Sequence, residues 1–220
     1  MVFRGFPPQA FEFYRSLEAE NTKAFWDAHR SEYKTSVKEP VEAMCESFDT
    51  YGDFHLFRPH NDLRFSKTKP PYKVHQGAFA ERERGSGLYF QLGPKGLFVG
   101  AGFYTMASDQ LEKYRVAVDD EMVGGELVSV VERMRSGGVA VESFDQLKTA
   151  PRGWPKDHPR IDLLRRKGIH AGREFKEAKW MHIAKARERV ESTWNEVIPL
   201  CEWFDTHVGP SELPPDDRWG

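Results

Sequence analysis

The sequence predicts an α+β fold in a single domain, with a central antiparallel sheet flanked by N-terminal and C-terminal helices. Three observations carry this. Apolar residues recur at three- and four-residue steps in the first fifty positions and again toward the C-terminus. Between these stretches the period shifts toward two, and Gly-Pro clusters punctuate the chain. At 220 residues, 39% apolar and 13% aromatic, the chain has the length and material for one hydrophobic core. The domain is expected over residues 1–208, with 209–220 as a loosely ordered tail.

Pro7 and Pro8 precede Phe11, Tyr14 and Leu17, a first helix. Asn21 reads as the N-cap of a second helix carrying Phe25, Trp26, His29, Tyr33 and Val37 on one side. Pro40 should kink that helix or open another, with Val41, Met44, Cys45 and Phe48 continuing the spacing as far as Tyr51-Gly52-Asp53. Leu63 and Phe65 alternate with Asp62, Arg64 and Ser66, as in a strand that buries the first pair and presents the three polar side chains together. Pro70-Pro71 then forces a loop. Leu88–Leu92 and Leu97–Tyr104 flank Gly93-Pro94-Lys95-Gly96, a hairpin connection. Helical spacing returns over Asp109–Met134, interrupted at Gly124-Gly125, and a short strand is expected at Val139–Phe144. Turn signals fill 150–160 ahead of a short helix over Arg160–Lys167. The pattern predicts a last helix from near Glu174 to about His207 that buries Trp180, Ile183, Trp194, Val197, Cys201 and Phe204 and bends at Pro199.

No window reaches the roughly 18 apolar residues of a membrane span, and the first ten residues lack the basic-then-apolar build of a secretory signal. Cys45 and Cys201 each sit in a helical apolar pattern, far apart, and read as reduced core thiols. A cytoplasmic protein with no membrane partner is the consequence. There is no HExxH, HxH or Cys-rich cluster, so no metal is expected, and no cofactor motif is complete. Gly100-Ala101-Gly102 lacks the third glycine of a dinucleotide fingerprint and reads as a close-packed strand or bulge.

The net charge is only −2, but it is unevenly distributed. Residues 58–75 carry Arg58, Arg64, Lys67, Lys69 and Lys73 against Asp62 alone. Residues 152–173 carry seven cations, Arg152 and Lys156 among them, against Asp157 and Asp162. Two basic islands in an acidic body would focus an anionic ligand if the fold joined them. They would equally serve as solvated faces, with lysine stems lying over apolar surface.

The run Asp62-Leu63-Arg64-Phe65-Ser66-Lys67-Thr68-Lys69-Pro70-Pro71-Tyr72-Lys73 resembles the hallmark R-D-x-R-F-S-x-D-K-x-P-Y-K of a widespread bacterial and fungal family, a domain of unknown function. The resemblance extends to Asn21–Tyr33, Gly87–Gly102, Leu147–Trp154, Asp157–Pro159 and Leu164–Lys167, and so covers most of the chain in order. It implies a conserved hypothetical protein with no established activity. Asn61 and Thr68 stand where that pattern has arginine and aspartate, which leaves Asp62 as the motif's only carboxylate.

The leading expectation is binding of, or action on, a small phosphate- or carboxylate-bearing ligand. Arg64, Ser66, Lys69 and Lys73, with Arg152 and Lys156, are the ligand-binding candidates, because arginine offers a planar fork and lysine a point charge. Asp62, His75 and Tyr72 are the candidates for acid or base work. The same side chains would also make an ordinary exposed strand face with an Asp-Arg pair. Tyr72, Tyr89, Phe90 and Phe98 near these cations suggest a nucleic-acid stacking platform as an alternative, weakened by a pI near 6.5. A noncatalytic protein-interaction domain is the third reading. Oligomeric state is not encoded in any recognisable pattern.

Overall fold

The computed structural model describes residues 2–64, 68–82 and 85–213. Helix α1 (Pro8–Ala19) begins on a proline, which has no N–H to leave unpaired there, and buries Phe11, Phe13, Tyr14 and Leu17. Helix α2 (Lys23–Glu32) is capped by Thr22, whose hydroxyl accepts from the Phe25 N–H at 3.1 Å. Asn21, the expected cap, is committed elsewhere. Residues Tyr33–Lys38 continue α2 as a π-helical turn, in which the Glu39 N–H reaches back to the Lys34 carbonyl. Helix α3 (Glu39–Glu46) follows with Pro40 in its first turn. Pro40 has no N–H to donate, so the predicted kink takes the form of a widened turn.

Six strands follow: β1 (Phe54–Leu56), β2 (Gln76–Glu81), β3 (Gly87–Gly93), β4 (Gly96–Phe103), β5 (Ala140–Glu142) and β6 (Ile169–Lys176). Their order in the sheet is β1-β2-β3-β4-β6-β5. Phe54 to Leu56 pair antiparallel with Ala80 to Ala78, and Ala140 to Glu142 with Gly172 to His170. Two glycines mark where β6 lies against β4. At Gly96 (φ +141°) a Cβ would collide with the Phe175 carbonyl, and at Gly102 (φ +140°) with that of Ile169, so β4 and β6 run in opposite directions. This is the close strand packing read from Gly100-Ala101-Gly102.

Helices α4 (Ser108–Asp119) and α5 (Glu121–Ser136) precede β5, α6 (Ile161–Leu164) precedes β6, and α7 (Lys185–His207) closes the order. The break between α4 and α5 falls at Asp120, not at Gly124-Gly125. The Asp120 carboxylate accepts from the N–H groups of Met122 and Val123, and such a cap defines a helix start more strongly than glycine defines an end. The long helix expected from Glu174 is also corrected. Residues 169–176 are a strand, α7 begins at Lys185, and Ile183 is 53% exposed. The α+β prediction holds, with helices before and after an antiparallel sheet.

The chain divides into two compact units: Met1–Glu81 with Tyr89–Val99 and Glu174–Thr193, and Arg82–Leu88 with Gly100–Arg173 and Trp194–Gly220. The first is built around Phe11, Phe13, Leu17, Val37, Val41, Met44 and Phe48, all buried. In the second, Phe204 stacks on Phe103 (4.8 Å) and on Tyr114 (5.4 Å), whose hydroxyl donates to the Leu163 carbonyl at 2.9 Å. Cys45 and Cys201 are buried free thiols. Segment 209–213, in the expected tail, is tied to α4: Gln110 donates to the Gly209 carbonyl, and Asp109 accepts from Ser211 and from the Glu212 N–H. Residues 214–220 lie outside the described residues.

Phe204 is fully buried between two rings, so Phe204→Ala should lower unfolding free energy by about 3–5 kcal/mol, read from urea denaturation.

Candidate functional site

The basic motif lies in the connection between β1 and β2, and residues 62–64 are not a strand. Two arms close at its base. Phe57 N–H donates to the Gly77 carbonyl (3.0 Å), Lys73 N–H to Pro59 (2.7 Å) and Asn61 N–H to Pro71 (2.9 Å), and His60 bridges Tyr72. Pro59, Pro70 and Pro71 have no N–H to extend this ladder, and the Asn61 side chain donates to the Pro70 carbonyl at 2.9 Å. Leu63, expected inside, is 44% exposed. Phe65, Ser66 and Lys67 lie outside the described residues, so the proposed place of Ser66 beside Asp62 and Arg64 is not described.

Asp62 and Arg64 face each other. The Asp62 carboxylate accepts from the Arg64 N–H (3.0 Å), from Nε (3.1 Å) and from Nη2 (2.7 Å). These bonds hold the Asp62 carboxyl well below the usual carboxylate range and raise the Arg64 guanidinium. A carboxylate held that low is a weak base, and a guanidinium fork turned toward it presents less to a ligand.

Tyr72 is the buried centre of the region. Its N–H donates to Asn21 Oδ1 (3.0 Å) and its carbonyl accepts from Asn21 Nδ2 (2.9 Å), which explains why Asn21 does not cap α2. Its ring lies parallel to Trp26, 4.4 Å between centroids and 8° between planes, with His60 at 5.0 Å. Burial, then Asp27, raises its phenol pKa. The Lys73 ammonium donates to the Arg58 carbonyl (3.0 Å) and sits 5.5 Å above the Phe57 ring. Burial, then Arg58, lowers its pKa. Burial, then Lys73, lowers that of His75, which favours a neutral imidazole. Lys69 is exposed.

Beside this loop lies a shallow, open groove of about 710 Å³ that sequence reasoning missed, lined by Trp26, Asp27, Arg30, Tyr33, Lys34, Lys38 and His60 among others. The π-helical turn supplies Tyr33, Lys34 and Lys38. Tyr33 donates to Gln76 Oε1 at 2.6 Å, and Gln76 donates to the Phe57 and Gly77 carbonyls, so the widened turn is fastened to the base of the loop. Burial, then Glu42, pushes the Tyr33 phenol up to about 12. Arg30 pairs with Asp27 (2.8 Å) and Lys38 with Glu42 (3.3 Å), whereas Lys34 has no ion-pair partner among the described residues. Proline at position 40 was the available signal, because it marks where regular helical bonding fails.

Arg152 and Lys156 are exposed side chains of the second unit. Among the described residues, no group of three or more His, Cys, Asp or Glu side chains is placed to hold a metal ion, and no helix is long and apolar enough to cross a membrane.

The match that comes with this fold is to a family of conserved hypothetical proteins, DUF2461, over residues 9–203. The chain belongs to that family. No curated protein and no solved structure matches it.

The Asp62-Arg64 pair sets a pH signature. Because the folded pKa of Asp62 is depressed, its contribution to stability is present above the unfolded value near 3.9 and is lost as pH falls through the folded one. Carboxyl NMR titration should place the Asp62 midpoint below the normal aspartate range in the wild type. In Arg64→Lys, which loses the bidentate fork, the midpoint should move toward the normal value.

Proposed function

We propose that the protein binds a small phosphate- or carboxylate-bearing molecule in the groove on its first unit, with the anionic group toward Lys34, Arg30 and Lys38 and the remainder against Trp26 and His60. The observation that carries this is the π-helical turn Tyr33–Lys38, an irregular and costly conformation placed where it lines the groove with an aromatic ring and two cations. Aromatic side chains, an exposed lysine and a rim fastened by hydrogen bonds are features of a small-molecule site, and the Asp27 carboxylate of the same lining is already paired with Arg30. Lys69 and Lys73 of the neighbouring loop and Arg64 are proposed as secondary contributors to anion attraction. Asp62, His75 and Tyr72 remain proposed acid or base candidates, although the low basicity of Asp62 and the burial of Tyr72 favour binding over catalysis.

The test is an anion-induced thermal shift across inorganic phosphate, nucleotides and short carboxylates. At 100-fold excess over Kd, a bound anion should stabilise the fold by about 2.7 kcal/mol. Lys34→Ala should weaken that anion roughly tenfold while leaving the unliganded melting temperature unchanged, because the side chain is exposed. A loss of affinity with salt as steep as several phosphate contacts require would move the reading to nucleic acid. No shift with any anion would remove the small-ligand reading and leave a protein-interaction domain.

A further inference from the structure

We propose that Arg82, Ser86, Cys201 and Asp205 of the second unit enclose a binding site for one neutral, water-sized molecule, a structural water built into the fold. Six buried side-chain polar atoms among the described residues have no hydrogen-bond partner, and three of them, Arg82 Nη1, Ser86 Oγ and Asp205 Oδ1, belong to this one cluster. Buried polar groups are almost always partnered, so three together mark a place where a further partner belongs.

The elements converge by simple means. Arg82 and Ser86 close the turn between β2 and β3, with the Arg82 N–H donating to the Ser86 carbonyl at 2.7 Å. Cys201 and Asp205 stand one turn apart on α7. Ser86 and Cys201 are wholly inaccessible, and the Asp205 side chain is 10% exposed. Arg82 and Ser86 lie beside the Cys201 thiol, which burial nonetheless pushes up to about 11. Both side chains make weak hydrogen-bonding contact with that sulfur, and a neutral thiol, a weak donor and acceptor, leaves Arg82 Nη1 and Ser86 Oγ with capacity for a stronger partner.

Charge selects the occupant. Arg82 Nη2 stands 3.4 Å from Asp205 Oδ2, longer than a good charge-assisted bond, so the pair is neutral in sum but open. A cation would meet the guanidinium and an anion the carboxylate. A water molecule donates to Asp205 Oδ1, accepts from Arg82 Nη1 and exchanges a bond with Ser86 Oγ, within the two to four bonds usual for buried water.

A crystal structure of the full chain, at a resolution that shows ordered water, tests this, with a second crystal soaked in bromide. The expected result is one water peak within hydrogen-bonding distance of Asp205 Oδ1, Arg82 Nη1 and Ser86 Oγ, and no anomalous bromide signal there. A bromide peak at the cluster would overturn the proposal in favour of an anion site. A direct two-bond Arg82-Asp205 pair, with Ser86 Oγ bonded to a protein oxygen, would overturn it in favour of a self-satisfied cluster.

Discussion

One carboxamide holds both main-chain polar groups of Tyr72. Asn21 accepts from its N–H and donates to its carbonyl, in the manner of a paired strand supplied by a single side chain. A buried peptide group left unpaired costs about 1–3 kcal/mol. This bond pair therefore fixes the second arm of the loop against the start of α2, and the register of the loop follows from it. With Tyr72 in place its ring can lie flat on Trp26, the His60-Tyr72 bridge forms, and Lys73 is carried to the Pro59 carbonyl.

The second fastening comes from the widened helix. A π-helical turn displaces the side chains that follow around the helix axis, and here Tyr33, at its start, reaches the Gln76 carboxamide while Lys34 and Lys38 line the groove. Gln76 is itself buried and donates to two carbonyls, so its amide is fully committed and its orientation determined. Helix and loop are thus joined twice, by Asn21 at the beginning of α2 and by Tyr33 at its end. Such a rim loses little conformational freedom when something binds, which is the condition for useful affinity from few contacts.

The parts of this architecture that were legible in the sequence are those that local pattern determines. The N-terminal helices, the Pro94-Lys95 hairpin, the buried thiols and the α+β order follow from periodicity and turn chemistry. The misreadings have particular causes. Leu63 alternates with polar residues as a strand residue does, but a strand also needs a partner, and three prolines remove the donors that would supply one. Asn21 has the chemistry of a helix cap and uses it on Tyr72, 51 positions away, which no local rule anticipates. Gly124-Gly125 looks like a helix end, yet a capping carboxylate four residues earlier decides the boundary. Strand β6 alternates weakly and runs into a helical pattern, so periodicity alone merges the two into one helix.

Charge counting has the same limit as pattern reading. Five cations in 58–75 mark a basic island that would attract an anion, but the count treats every charge as equally available, and the fold does not. Arg64 is turned toward Asp62, and Lys73 is half-buried against a carbonyl and a ring. Both are held in ways that organise the loop. Among the groove cations Arg30 is likewise paired with Asp27 and Lys38 with Glu42, and it is Lys34 whose charge stands exposed without an ion-pair partner among the described residues, in a segment whose cations alternate with acids and carry little net charge. An electrostatic site is defined by where charge is exposed next to a shaped surface, so in the reading proposed above the single exposed charge of Lys34 beside aromatic rings counts for more than the larger formal charge of the motif beside it.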